Sequence, residues 1–207
     1  MEIVVNNEWL KESIRENFLT AVKILFLFTN DIKEALNLSE NVFLKLSEKE
    51  GFESQRYFMA WFLHEVLRTG KGARIKHKED AEEIFSLGES ERMALFFRNY
   101  EGFNLREISG VMRIPENTAE NAIESAEEHL KSDETALDRS KFDKIFEKIY
   151  MSEEVSEKMN ELLETNKLEE LKRLNDLKRE RGRKITWIAS LVLIAICLLI
   201  GSGVLHL

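Results

Sequence analysis

The sequence predicts an all-α protein with two small helical domains, a charged helical stalk and one C-terminal transmembrane helix, and it predicts no β-sheet. Charged residues make up 33% of the chain, which has only nine Gly and one Pro, a composition typical of helices with short connections. Apolar residues recur at helical spacing along most of its length. Residues 185–207 contain no Asp, Glu, Lys or Arg. About 20 apolar residues, at roughly 1.5 Å each, suffice to cross the ~30 Å hydrocarbon core of a bilayer.

The first predicted domain spans residues 1–70 and contains three helices. The first helix covers about residues 8–29, and the polar Asp31 that follows is a candidate N-cap for the second. The third helix runs over about residues 54–68. The polar and charged residues 71–83 then predict a linker.

The second predicted domain spans residues 84–132. Its apolar pattern predicts helices at 89–100, 105–113 and 117–129, with Pro115 marking the start of the last. Two short helices joined by a tight turn make a candidate helix-turn-helix motif. The same motif can also serve packing alone, and the pattern does not decide between the two roles.

Residues 133–184 are predicted to form a charged amphipathic helical stalk. Its apolar stripe shifts phase near Asn166, so we do not expect one long coiled coil. The stripe needs an apolar partner, either the soluble domains or a second copy of the chain.

A basic cluster precedes the predicted membrane span, and its members are Lys178, Arg179, Arg181, Arg183 and Lys184. Because such a cluster stays on the cytoplasmic side, we expect a single-pass protein of the cell membrane with its N-terminal domains in the cytoplasm. The first residues lack the basic and then apolar pattern of a secretory signal peptide, so we expect anchoring after synthesis. The alternative interpretation of residues 185–207 is a buried helix of a soluble fold.

No motif in the sequence indicates catalysis. We find no Gly-rich phosphate loop, HExxH, GxSxG or paired-cysteine pattern, and we therefore expect a non-enzyme without cofactor or metal. The single cysteine, Cys197, lies inside the predicted span and cannot form an intrachain disulfide or a metal site with the four histidines. The net charge of -8 argues against non-specific nucleic-acid binding over the whole surface, but it allows a local basic patch.

Residues 87–130, LGESERMALFFRNYEGFNLREISGVMRIPENTAENAIESAEEHL, resemble the C-terminal promoter-binding domain, region 4, of bacterial RNA polymerase sigma factors. The matching positions are Leu87, Glu89, Glu91, Arg92, Leu95, Arg98, Glu101, Gly102, Phe103, Glu107, Ile108, Ile114, Pro115, Thr118, Ala126 and Leu130. The resemblance implies that the second helix of the motif contacts promoter DNA. The candidate DNA-binding residues there are Asn117, Thr118, Asn121 and Ser125.

Two segments of the first domain resemble region 2 of the same family. Residues 30–48, NDIKEALNLSENVFLKLSE, resemble the helix that grips the polymerase clamp, which implies polymerase contacts at Leu38, Glu40, Phe43 and Leu44. Residues 58–74, FMAWFLHEVLRTGKGAR, resemble the next helix, which helps to melt and read the -10 element. The candidate DNA-binding residues of this domain are Trp61, Arg68, Lys71, Arg74 and Lys76. Trp61 also fits a core aromatic, and residues 68–78 also fit a solvated linker.

A region 2-like domain followed by a region 4-like domain is the layout of the small extracytoplasmic-function sigma factors. This layout implies a sigma-like initiation factor, with core RNA polymerase, promoter DNA and an anti-sigma factor as candidate partners. The predicted span at residues 185–207 would tether it to the membrane. The family usually has several basic residues on the recognition helix, whereas residues 116–130 contain five Glu and no Lys or Arg. The family also favours Gly where Arg113 stands. Because phosphate neutralisation dominates DNA affinity, a second hypothesis is a degenerate sigma-like interaction module that does not read DNA. A third is a structural tail-anchored adaptor.

Overall fold

The computed structural model describes residues 2–73, 83–130 and 139–164, together with Arg173. The described ranges contain eight α-helices, one 3-10 turn at Glu83–Ser86 and one two-stranded ribbon, so the all-α prediction is confirmed for this part of the chain. The helices are α1 (Asn7–Thr29), α2 (Ile32–Ser47), α3 (Gln55–Gly70), α4 (Glu89–Asn99), α5 (Leu105–Met112), α6 (Glu116–Leu130), α7 (Arg139–Tyr150) and α8 (Glu153–Leu163).

Polar caps set the helix boundaries. The side chains of Asn6, Asp31 and Ser54 accept hydrogen bonds from backbone N–H groups in the first turns of α1, α2 and α3. Asn104 does the same for α5, while the Glu107 carboxylate accepts from the Asn104 backbone N–H. Because these residue types satisfy otherwise unpaired N–H groups, they explain why the predicted starts lie so close to the observed ones.

A short antiparallel ribbon corrects the expectation of no sheet. Strand β1 (Ile3–Val4) pairs with β2 (Gly51–Phe52), which joins the start of the chain to the loop between α2 and α3. Two-residue strands are too short to produce the alternating pattern that predicts a strand. A Cβ atom at Gly51 would collide with the backbone carbonyl of Ile3, so the close approach of β1 requires glycine there.

Helix α1 is the centre of the compact unit formed by residues 1–164. It contacts α2, α3, α4, α7 and α8. Apart from Lys23, residues 21–29 are all buried. A helix that is apolar on every side needs partners on every side, and the sequence AVKILFLFT meets that condition in the middle of the bundle.

The two predicted soluble domains belong to this same compact unit. Helix α1 contacts α4, and α3 contacts α5. The predicted linker at 71–83 lies largely outside the described residues. The division into domains at this linker stays a prediction.

The described part of the predicted stalk packs on the soluble helices, which is one of the two arrangements that the sequence left open. Helices α7 and α8 are separated by Met151 and Ser152, and α8 lies against both α1 and α2. The predicted phase shift near Asn166 and the rest of the stalk to residue 184 lie outside the described residues.

Lys23 anchors α7 to α1 and α4. Its ammonium donates a hydrogen bond to the Tyr100 hydroxyl over 2.9 Å and lies 4.9, 5.6 and 5.0 Å from the ring centroids of Tyr100, Phe146 and Tyr150. Burial alone would lower the pKa of Lys23, but the hydrogen bonds to the two tyrosines outweigh burial and raise it. The charge is therefore kept among three aromatic rings in an aromatic cage, and its partial burial strengthens the cation–π attraction.

The predicted membrane helix at residues 185–207 lies outside the described residues. Within the described ranges, no helix combines the length and the apolar character that a membrane span needs.

Candidate functional site

Helices α5 and α6 are joined by the tight turn that the sequence predicted. Arg113 ends α5 with φ 55° and ψ 48°, in the left-handed region. The N–H groups of Arg113 and Ile114 both donate to the Ser109 carbonyl, and the Ser109 hydroxyl donates to the Ile114 carbonyl over 2.6 Å. The left-handed conformation gives a physical reason for glycine at this position of the resembled family, because only glycine adopts it without a steric cost.

The buried side of α6 is apolar and small. Ala119, Ile123, Ala126 and Leu130 are buried, and α6 contacts both α4 and α5. This arrangement leaves the opposite side of α6 as the surface that a partner of the helix-turn-helix would meet.

The structure exposes three of the four candidate DNA-binding residues of α6, which are Asn117, Thr118 and Asn121. The fourth, Ser125, is partly buried, and its hydroxyl donates to the Glu91 carboxylate over 2.6 Å. That bond, together with the Gly88 backbone N–H, lowers the pKa of the Glu91 carboxyl. Ser125 therefore ties α6 to α4 in this structure.

The exposed side of α6 is strongly acidic. All five of its glutamates are exposed, and they are Glu116, Glu120, Glu124, Glu127 and Glu128. The helix contains no Lys or Arg that could neutralise them. A phosphate backbone placed against this side would meet like charge, which removes the main source of DNA affinity.

An aromatic platform lies at the ribbon end of α3. Trp61 is half-buried and packs on Phe52 with ring centroids 5.4 Å apart, while the Lys49 ammonium lies 5.4 Å from the Trp61 centroid. Tyr57, one turn earlier, is 61% exposed. An accessible ring next to a cation can stack with an unpaired base, so Trp61 fits both of the roles that the sequence left open.

The cationic end of α3 contains a buried carboxylate. Glu65 is only 6% exposed; it accepts two hydrogen bonds from the Arg68 guanidinium and one, over 2.7 Å, from Lys45. Burial alone would raise the pKa of Glu65, but these bonds outweigh burial and lower it. Arg68 is therefore already paired, whereas Lys71 is exposed. Arg74 and Lys76 lie outside the described residues.

Arg113 joins this cationic surface, although the sequence did not predict it. Helix α3 packs on α5, and this contact brings Arg113 into electrostatic range of His64. Burial, and then Arg113, Lys71 and Arg68, lower the pKa of His64, whereas Glu65 opposes them. Arg113 lies far from α3 in the sequence. The only sequence feature that could have indicated its position is the helix-turn-helix motif, because the turn of such a motif lies at the surface of its domain.

The four candidate polymerase contacts of α2 differ in accessibility. Phe43 is 0% and Leu44 8% exposed, since both pack into the core. Leu38 is half-buried, and the Glu40 carboxylate is paired with Lys158 of α8. As the chain is folded here, Leu38 and Glu40 are the only two of the four that lie near the surface.

In the described ranges, no three His, Cys, Asp or Glu side chains gather closely enough to hold a metal ion. Comparison with known proteins adds no family: no family model matches the sequence, and no curated protein matches it.

Proposed function

We propose that this chain is a sigma-like transcription initiation factor that binds core RNA polymerase and promoter DNA and is tethered to the cell membrane by residues 185–207. The observation that supports it most is the helix-turn-helix formed by α5 and α6. Its turn residue, Arg113, has the left-handed conformation at the position where the resembled family favours glycine. The three-helix unit α1–α3 precedes this motif, in the order of regions 2 and 4 of the family.

On this proposal, DNA lies against α3 and not against the exposed side of α6. The α3 side offers a half-exposed Trp61, an exposed Lys71 and the nearby Arg113. Aromatic stacking and phosphate neutralisation are the two interactions that hold single-stranded DNA without strict sequence readout. The α6 side offers Asn117 and Asn121 for base edges, but its five glutamates oppose the approach of phosphates.

A second candidate function is a sigma-like interaction module that binds a protein partner and does not read DNA. The acidic side of α6 favours it, because exposed carboxylates without neighbouring cations on the same helix suit a basic protein surface. An anti-sigma factor and the polymerase itself are the candidate partners.

Transcription with reconstituted polymerase separates the two functions. Lys71→Gln combined with Lys76→Gln should abolish promoter-dependent run-off transcription and leave retention of core polymerase in a pull-down unchanged. Arg68 is left intact because its loss would also remove two of the three hydrogen bonds that the buried Glu65 carboxylate accepts. The matched control is Lys144→Gln with Lys148→Gln, two exposed lysines of α7. An active Lys71/Lys76 variant would remove this segment from the mechanism, and an inactive wild type that still retains polymerase would favour the interaction module.

The membrane tether rests on the sequence and has its own test. Deletion of residues 185–207 should move the protein from the carbonate-washed membrane pellet to the supernatant. A truncated protein that stays in the pellet would show that this segment is not the anchor.

A further inference from the structure

Helix α8 presents one mixed stripe to α1 and α2. Val155 and Leu162 are buried, and Lys158 lies between them along the helix. These three residues are spaced at intervals of three and four, so they point to the same side of α8. The stripe is therefore apolar at both ends and cationic in the middle.

The central lysine pairs with α2. Lys158 lies 2.5 Å from the Glu40 carboxylate and 3.0 Å from Glu161, and the Lys158 and Glu40 side chains are only 17% and 16% exposed. A second pair, Lys33 with Glu154, is largely exposed and therefore contributes little. Glu40 is thus the main polar contact between α2 and α8.

The same carboxylate belongs to the surface through which α2 would bind polymerase. With Phe43 and Leu44 in the core, Glu40 is the one charged member of the candidate set. While Lys158 neutralises and covers this carboxylate, a polymerase surface cannot contact it.

We propose that α8 is a displaceable cover, an internal competitor that holds the α2 surface around Glu40 closed to polymerase. The inference rests on the proposed function, since it names the regulation of that same surface.

Helix α8 has fewer buried side chains than its neighbour α7. Four buried residues hold α7, namely Phe142, Ile145, Phe146 and Ile149, and the Lys23 cage adds to them. Two buried residues hold α8. The break at Met151 and Ser152 separates the two helices, so α8 can leave while α7 stays in place.

The test uses the full chain in detergent micelles with purified bacterial core RNA polymerase. Leu162→Asp places a charge on the buried side of α8 and should detach this helix from α1 and α2. Detachment appears as faster amide hydrogen exchange in residues 153–163, with exchange in α1–α3 and α7 unchanged. If the open form is roughly 1–10% populated in the wild type, release tightens polymerase binding by roughly tenfold to hundredfold. Asn160→Asp, the same charge change on an exposed position of α8, is the matched control and should change neither readout.

Other results would overturn the inference in distinguishable ways. Faster exchange in α8 with unchanged, measurable polymerase affinity would reject the cover and leave the proposed function standing. No binding by either the wild type or the opened variant would reject the proposed function and the cover with it. If Leu162→Asp also loses protection in α1–α3, the milder Lys158→Gln replaces it, and an affinity that does not rise in that variant rejects the cover.

Discussion

The C-terminal half of α3 and the exposed side of α6 both contain carboxylates and both were candidate DNA surfaces, but they handle charge in opposite ways. On α3 the carboxylate of Glu65 is buried and paired with two cations, so the remaining surface is basic. On α6 the five glutamates point to solvent with no cation on the helix. The number of charged residues in a segment therefore does not predict the charge of its surface unless the burial of each residue is known.

The largest effect is expected from a reversal of charge on the exposed side of α6. Glu120→Lys with Glu124→Lys should convert it into a surface that attracts DNA. If each new lysine contacts one phosphate, the dependence of log affinity on log salt becomes steeper by about 0.9 per contact. Over the decade from 1 M to 0.1 M salt, two such contacts increase the affinity roughly 60-fold more than in the wild type. Salt titrations of fluorescence polarisation with a short duplex measure both quantities.

The control for this pair has the same spacing and the same charge change elsewhere. Glu8→Lys with Glu12→Lys places two lysines at exposed positions of α1. If the α1 pair tightens DNA binding as much as the α6 pair, net charge is responsible and the position of α6 is irrelevant.

A smaller effect is expected from the buried carboxylate of α3. Glu65→Gln should lower the free energy of unfolding at pH 7 by about 2 kcal/mol, because hydrogen bonds between charged groups contribute roughly 1.5–3 kcal/mol. Burial opposes ionisation of Glu65, but the bonds from Arg68 and Lys45 hold its folded-state pKa below the ordinary 4.5. Its contribution is therefore complete above that pH and is lost as the pH falls through the folded-state pKa.

Urea denaturation of the wild type and of Glu65→Gln at pH 7 and pH 3 checks this sign. The difference in the free energy of unfolding should shrink at the lower pH, whereas Glu53→Gln, at an exposed position, should show little difference at either. A difference that grows on acidification would contradict the assigned pairing.

The smallest expected effect concerns the turn between α5 and α6. Arg113→Gly should raise the free energy of unfolding by about 0.5–1 kcal/mol, because glycine adopts the left-handed conformation without a Cβ clash. Arg113→Ala keeps that clash and should give no gain. Equal stabilities for the two variants in urea denaturation would show that the conformation carries no strain.

Local chemistry made much of the fold predictable. The start of α2 follows from its cap, Asp31, whose side chain needs only the next turn of backbone. The β1–β2 ribbon and the packing of α8 on α2 depend on residues far apart in the sequence, and no local pattern encodes them.

The candidate site was less predictable because a resemblance in sequence does not report which side chains face the core. The resemblance implies polymerase contacts at Phe43 and Leu44, yet both are buried. Arg68 is a candidate DNA-binding residue, and in the folded chain it pairs with Glu65, three residues earlier. The contribution of Arg113 depends on the contact between α3 and α5, which only the folded chain supplies.

A site-specific photocrosslinker at position 71 or at position 121 of the full chain determines which of the two surfaces contacts DNA. Each protein is bound to core polymerase and a promoter fragment, irradiated and analysed for covalently attached DNA. We predict attachment from position 71, next to the cationic end of α3, and little or none from position 121 on the acidic side of α6. Attachment from position 121 in excess of position 71, or from neither position, would contradict this prediction.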